Sequence, residues 1–136
     1  MKKIVNLILL IIWMILIFTM SSFNAIESSN QSGSIVMFIS NILNIDDLEL
    51  LSLLIRKIAH FTEYFILGIL TINCFKDYKL NNIFIYSLLF CIFYACTDEV
   101  HQLFIPGRSG NILDVLIDST GSILGCGSYF IVKKIK

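Results

Sequence analysis

Residues 83–108 read IFIYSLLFCIFYACTDEVHQLFIPGR. Ile83 to Cys96 carry no charge, and then Asp98, Glu99, His101, Gln102 and Arg108 arrive together. At about 1.5 Å per residue, a helix from Ile83 to Gln102 is roughly 30 Å long, the thickness of a bilayer core. The stretch therefore reads as a membrane span that ends in a polar patch, closed by Pro106-Gly107. Proline presets the first central position of a tight turn and glycine accepts positive φ at the second.

Composition supports this reading. Of 136 residues, 57% are apolar, the mean hydropathy is +0.84 and the formal net charge is zero. A soluble domain needs more surface charge than this. The length suits one domain, residues 1–136, and zero net charge offers no footprint for nucleic acid. Spans are expected at about 4–20, 58–75, 83–102 and 110–132. The fold class is all-α: an integral membrane four-helix bundle with an extracellular amphipathic segment between the first two spans. In that segment Ile35, Val36, Phe38, Ile39, Ile42 and Leu43 recur at helical spacing over a run too short to cross. The stretch NIDDLELLSLLIRK then predicts a helix start, with Asn44, Asp46 or Asp47 as cap, running on into the second span.

Lysine and arginine orient the bundle. With the N-terminus inside, the inner side collects Lys2, Lys3, Lys76, Lys79, Lys133, Lys134 and Lys136, against Arg56, Lys57 and Arg108 outside. The bias predicts a multi-pass protein with both termini cytoplasmic. An alternative takes the first segment as a signal peptide with FNA before Ile26 as a loose cleavage site, although the run is long for that purpose.

This orientation brings three polar groups to the outer level. Lys57, His60 and Tyr64 share a face of the second span, with Glu63 beside them. Asp98 and Gln102, like Thr97 and His101, are four residues apart on the third. Asp114, Asp118, Gly121 and Gly125 descend one face of the fourth, the glycines forming the small-xxx-small pattern GSILG. That pattern suits a close helix contact, within the chain or between two copies. Ionisable groups at membrane depth face a bundle interior or a watery cavity. As internal glue they would pair as Arg108 with Asp98 or Asp114, Lys57 with Glu63, and His60 with Asp118. So dense a set exceeds what four short helices need, and a site open to the outer leaflet is the better reading. His60 or His101 beside Asp98, Glu99 or Asp118 suits general acid-base work, and Arg108 and Lys57 suit an anionic group. No nucleophile motif stands out. Two histidines and several carboxylates lack a short ligand motif, so neither a metal nor another cofactor is expected. Cys74, Cys91, Cys96 and Cys126 lie in apolar runs without CxxC pairing and read as small core residues.

Three blocks carry a resemblance: RKIAHFTEYFILG (56–68), TDEVHQLFIPGR (97–108) and DVLIDSTGSILG (114–125). In sequence and order they resemble the signature blocks of the VanZ-like family. By that resemblance Lys57, His60, Glu63, Tyr64, Asp98, Glu99, His101, Gln102, Arg108 and Asp114 match its characteristic polar positions. Asp118 departs from it, standing where asparagine is more usual in the family. The resemblance implies a bacterial cytoplasmic-membrane protein linked to glycopeptide or lipoglycopeptide (teicoplanin) resistance. Its partners would be the lipid bilayer and either the antibiotic or a lipid-linked cell-wall precursor. The alternative is a membrane-embedded hydrolase or group transferase acting on an envelope lipid, with His60, Glu99 and Asp114 as catalytic candidates.

Overall fold

A computed structural model describes residues 2–23, 25–78, 80–108 and 110–135, with the side chains of residues 25–32 and 135 outside the description. Asn24 of the FNA stretch, and Lys79 and Lys136 of the inner charge set, lie outside the described residues.

Among the described residues five α-helices follow one another: α1 (Lys2–Ser21), α2 (Ala25–Leu43), α3 (Leu48–Phe75), α4 (Ile83–Gln102) and α5 (Ile112–Ile135), with a 3-10 turn at Lys76–Tyr78. Four of them, α1, α3, α4 and α5, are long and apolar enough to cross a membrane, and α2 carries only a shorter apolar stretch, Gly33–Leu43. The protein is thus an all-helical, multi-pass membrane bundle.

The helix ends follow local chemistry. Asn44 takes φ 51° just beyond α2, a left-handed conformation that asparagine tolerates better than most residues. Asp47 caps α3, its carboxylate accepting from the Leu50 amide at 3.0 Å. From that cap α3 runs 28 residues without a break, so the helix that carries the second span begins ten residues before Ile58. Helix α5, the fourth span, starts at Ile112, two residues after Gly110, where the Asn111 carboxamide oxygen accepts from the Leu113 amide at 3.0 Å. Gly107 has φ 75°, and the Arg108 amide bonds the Ile105 carbonyl at 3.1 Å, closing the expected Pro-Gly turn.

Contacts fix the directions. Asn6 near the start of α1 donates to Asn73 O and Asp77 near the end of α3, at 3.1 and 3.0 Å, while Ser22 after α1 meets His101 near the end of α4. Hence α1 and α4 run the same way and α3 the opposite way. The α3–α5 pair runs parallel in a fixed register: Lys57 meets Asp114, His60 meets Asp118, and Gly68 faces Ser122 and Cys126. Lys3 of α1 over the Tyr78 ring, and Lys76 just after α3 over the Tyr129 ring of α5, set basic residues at one end of the bundle.

Lipid does not drive apolar helices together, so close packing and interhelical hydrogen bonds must. A Cβ on Gly121 would sit 2.5 Å from the Phe61 carbonyl oxygen and one on Gly68 2.7 Å from that of Ser122, while one on Gly125 would run into the Phe65 carbonyl. These glycines let the α3 and α5 backbones touch, so within one chain Gly121 and Gly125 are already covered by α3. The α1 helix is fastened by Trp13 Nε1 donating to Glu63 O at 2.9 Å and by Tyr94 OH donating to Met14 O at 2.7 Å. Leu10, Ile17, Tyr64, Leu67, Cys74, Cys91 and Ala95 make a thin core, and most large apolar side chains face outward. In α2, Val36 is buried while Ile35, Phe38 and Ile42 are exposed. Cys74, Cys91 and Cys126 are buried, but Cys96 is exposed, correcting its expected place in the core. The cause is helical phase: Ala95, its neighbour, takes the inward position.

Candidate functional site

The polar residues gather at the end of the bundle opposite the basic cluster, where α3 begins its membrane passage, α4 ends and α5 starts. Lys57 Nζ lies 2.8 Å from Asp114 Oδ1, with both side chains partly accessible. This corrects the expected Lys57–Glu63 pairing: residues six apart on α3 point to different sides, whereas the parallel register sets Asp114 directly beside Lys57. The contact engages one oxygen of Asp114, Oδ1.

One turn deeper, His60 Nδ1 is 3.4 Å from Asp118 Oδ1, as the sequence suggested. Asp118 is fully buried, and neither of its oxygens has a hydrogen-bond partner among the described residues. Asp98 and Gln102 are buried together, the amide donating to Asp98 Oδ2 at 3.4 Å across one helical turn. Asp98 Oδ1 is without a partner, with buried Ser21 of α1 beside it. Glu99 Oε2 accepts from the Asn111 amide at 2.7 Å, leaving Oε1 buried and unpartnered. Gly110 makes that bond reachable, since a side chain there would strike the Glu99 carbonyl. Tyr64 is fully buried with an unpartnered hydroxyl, its ring 6.4 Å from that of Tyr94. Glu63 is half-buried, within electrostatic range of His60, Asp98, Asp118 and Arg108.

Two residues sit differently from expectation. His101 points to α1, stacking on Phe18 at 4.5 Å between ring centroids, with Nε2 3.1 Å from Ser22 Oγ. It is therefore on the rim, and His60 is the histidine at the carboxylates. Arg108 forms no ion pair with Asp98 or Asp114 among the described residues, and its half-buried guanidinium has an unpartnered Nε. Burial lowers the Arg108 pKa, nearby Arg56 adds to that, and Asp98, Glu63 and Glu99 oppose it. It remains a cation held over a negative cluster.

Ser21, Ser22 and Asn111 were not singled out in the sequence, yet all three stand at the site. The faint sign was their position, polar residues at the edges of apolar helices. Five carboxylates (Glu63, Asp98, Glu99, Asp114 and Asp118) thus surround one imidazole and two fixed cations, Lys57 and Arg108. Such a centre can accept protons, hold a cation, or orient a polar headgroup.

No curated protein and no solved structure compared with the chain matches it. The family model of VanZ/LLP1 matches residues 6–133, which includes all five helices in whole or large part. The three polar blocks, the four membrane-crossing helices and this match agree, and the chain belongs to the VanZ/LLP1 family.

Proposed function

We propose that the protein lies in the bacterial cytoplasmic membrane with both termini inside, and that its outward-facing polar site engages an anionic amphiphile of the cell envelope. The ligand class is a lipoglycopeptide antibiotic or a lipid-linked wall precursor, and the outcome is reduced susceptibility to teicoplanin. Family membership is consistent with that outcome. The observation that carries the reading is a polar centre beside an open apolar groove of about 310 Å³, lined by Ile11, Met14, Ile15, Phe18 and Tyr94. Phe18 joins the two, since its ring also stacks on His101. An acyl chain suits the groove and a charged headgroup suits the polar end, where Arg108 is a half-buried cation without an ion pair among the described residues.

The test is teicoplanin susceptibility in a sensitive Gram-positive host expressing the wild type, R108A or R108K at matched membrane levels. Protection by the wild type, its loss in R108A and partial retention in R108K are expected. Equal protection by all three would remove Arg108 from the reading, and no protection by the wild type would remove resistance itself.

A second reading, an enzyme acting on such a lipid, draws on His60 beside Asp118 and on the free oxygen of Glu99. It requires that E99Q abolish function while ligand binding persists. Binding and function lost in step would count against it.

A further inference from the structure

The arrangement around Asp118 poses a problem of charge. A carboxylate removed from water with no hydrogen bond to either oxygen is costly unless something positive stands beside it. Asp118 is 0% exposed and both oxygens lack a hydrogen-bond partner among the described residues. His60 is close, but its Nδ1 is also without a hydrogen bond among the described residues, and Glu99 brings a fourth such atom, Oε1. Lys57 is engaged by Asp114. When His60 is neutral with its proton on Nε2, the deepest part of the site is therefore a nitrogen and several oxygens that all accept, with no donor between them among the described residues.

These atoms are also close enough to serve one ion. One ligand atom each from His60, Glu99 and Asp118 lies within 4.8 Å of the others. Around an ion that binds nitrogen and oxygen at about 2.0–2.2 Å in tetrahedral fashion, neighbouring donors stand roughly 3.4 Å apart. The His60–Asp118 pair is already at 3.4 Å. The remaining gaps, at most 4.8 Å, close with up to about 1.4 Å of side-chain movement.

We propose that His60, Glu99 and Asp118 bind a divalent metal ion. One imidazole with two carboxylates suits a borderline first-row ion such as Zn²⁺ or Mn²⁺ better than Ca²⁺, which takes six to eight oxygens. The three ligands come from three helices, α3, α4 and α5, so the ion joins them at the level where the glycine seam ends. Glu99 is oriented for the task by the Asn111 amide on its other oxygen. Three protein ligands leave a fourth position open to water or to an anionic oxygen. The absence of a short sequence motif is no obstacle, because the ligands are assembled by helix register and not by spacing along one helix.

The experiment uses the full chain purified in detergent, stripped with a chelator and titrated calorimetrically with Zn²⁺ and Mn²⁺. H60Q, E99Q and D118N are run alongside, with chelator-treated melting temperatures recorded for each. The wild type is expected to bind about one ion per chain, and each variant to bind at least about tenfold more weakly. D118N should melt no lower than the stripped wild type, because it removes an unpartnered buried charge. Bound Co²⁺ should show visible absorption bands in the wild type that are lost in H60Q. No binding by the wild type, or equal binding by wild type and all three variants, would overturn the proposal and leave a proton shared between His60 and Asp118 as the balancing charge. Metal binding is read without the antibiotic, so failure of the resistance reading leaves this result standing.

Discussion

The glycine seam between α3 and α5 offers a sharp test, because two glycines of one helix should respond oppositely to the same change. In Gly121→Ala the new Cβ would lie 2.5 Å from Phe61 O and 3.2 Å from Phe65 N. Both neighbours are backbone atoms, so no rotamer change relieves them, and the helices must part by about 0.9 Å to restore ordinary contact. Overpacking of this kind costs about 1–3 kcal/mol. Gly127, six residues further along α5, has nothing within 4 Å of its Cβ position. Both substitutions gain the same helix propensity, up to about 1 kcal/mol, so their difference isolates the contact. Relative to G127A, G121A should melt about 4–12 °C lower for a chain of this size. A thiol-reactive fluorescent dye reads unfolding through buried Cys74, Cys91 and Cys126 in a C96S background that removes the exposed thiol. Equal melting of G121A and G127A would refute the close α3–α5 contact, and with it the register that sets Asp118 beside His60.

The Lys57–Asp114 pair is only partly buried, so a double-mutant cycle of K57A and D114A should return a coupling of about 0.5–1 kcal/mol, weakened by salt. A coupling above about 3 kcal/mol would mean a fully desolvated pair. Orientation is tested in a cysteine-free background: an impermeant maleimide should label L103C on intact cells and K133C only after permeabilisation. The reverse pattern would invert the sidedness inferred from the lysines.

Much of this was legible before any fold. Uninterrupted apolar runs state where the chain crosses lipid, because a spanning helix must satisfy its own backbone and present apolar side chains all round. The Pro106-Gly107 turn, the Asp47 cap and the small-residue face of α5 are local matters of backbone geometry, and each was readable from a few residues. So was the polar level, since helical period and charge bias bring His60, Asp98 and Asp114 to one end. What no local rule supplies is which polar group meets which. Lys57 takes Asp114 and not Glu63, His101 turns to Phe18 and Ser22, and Glu99 finds the Asn111 amide. The first choice depends on the axial register of α3 against α5, set by how closely Gly68, Gly121 and Gly125 let the backbones approach, and the other two on how α4 packs against α1 and the start of α5. Rotation about a helix axis by one residue, about 100°, exchanges every partner, and only packing against the other helices fixes that angle.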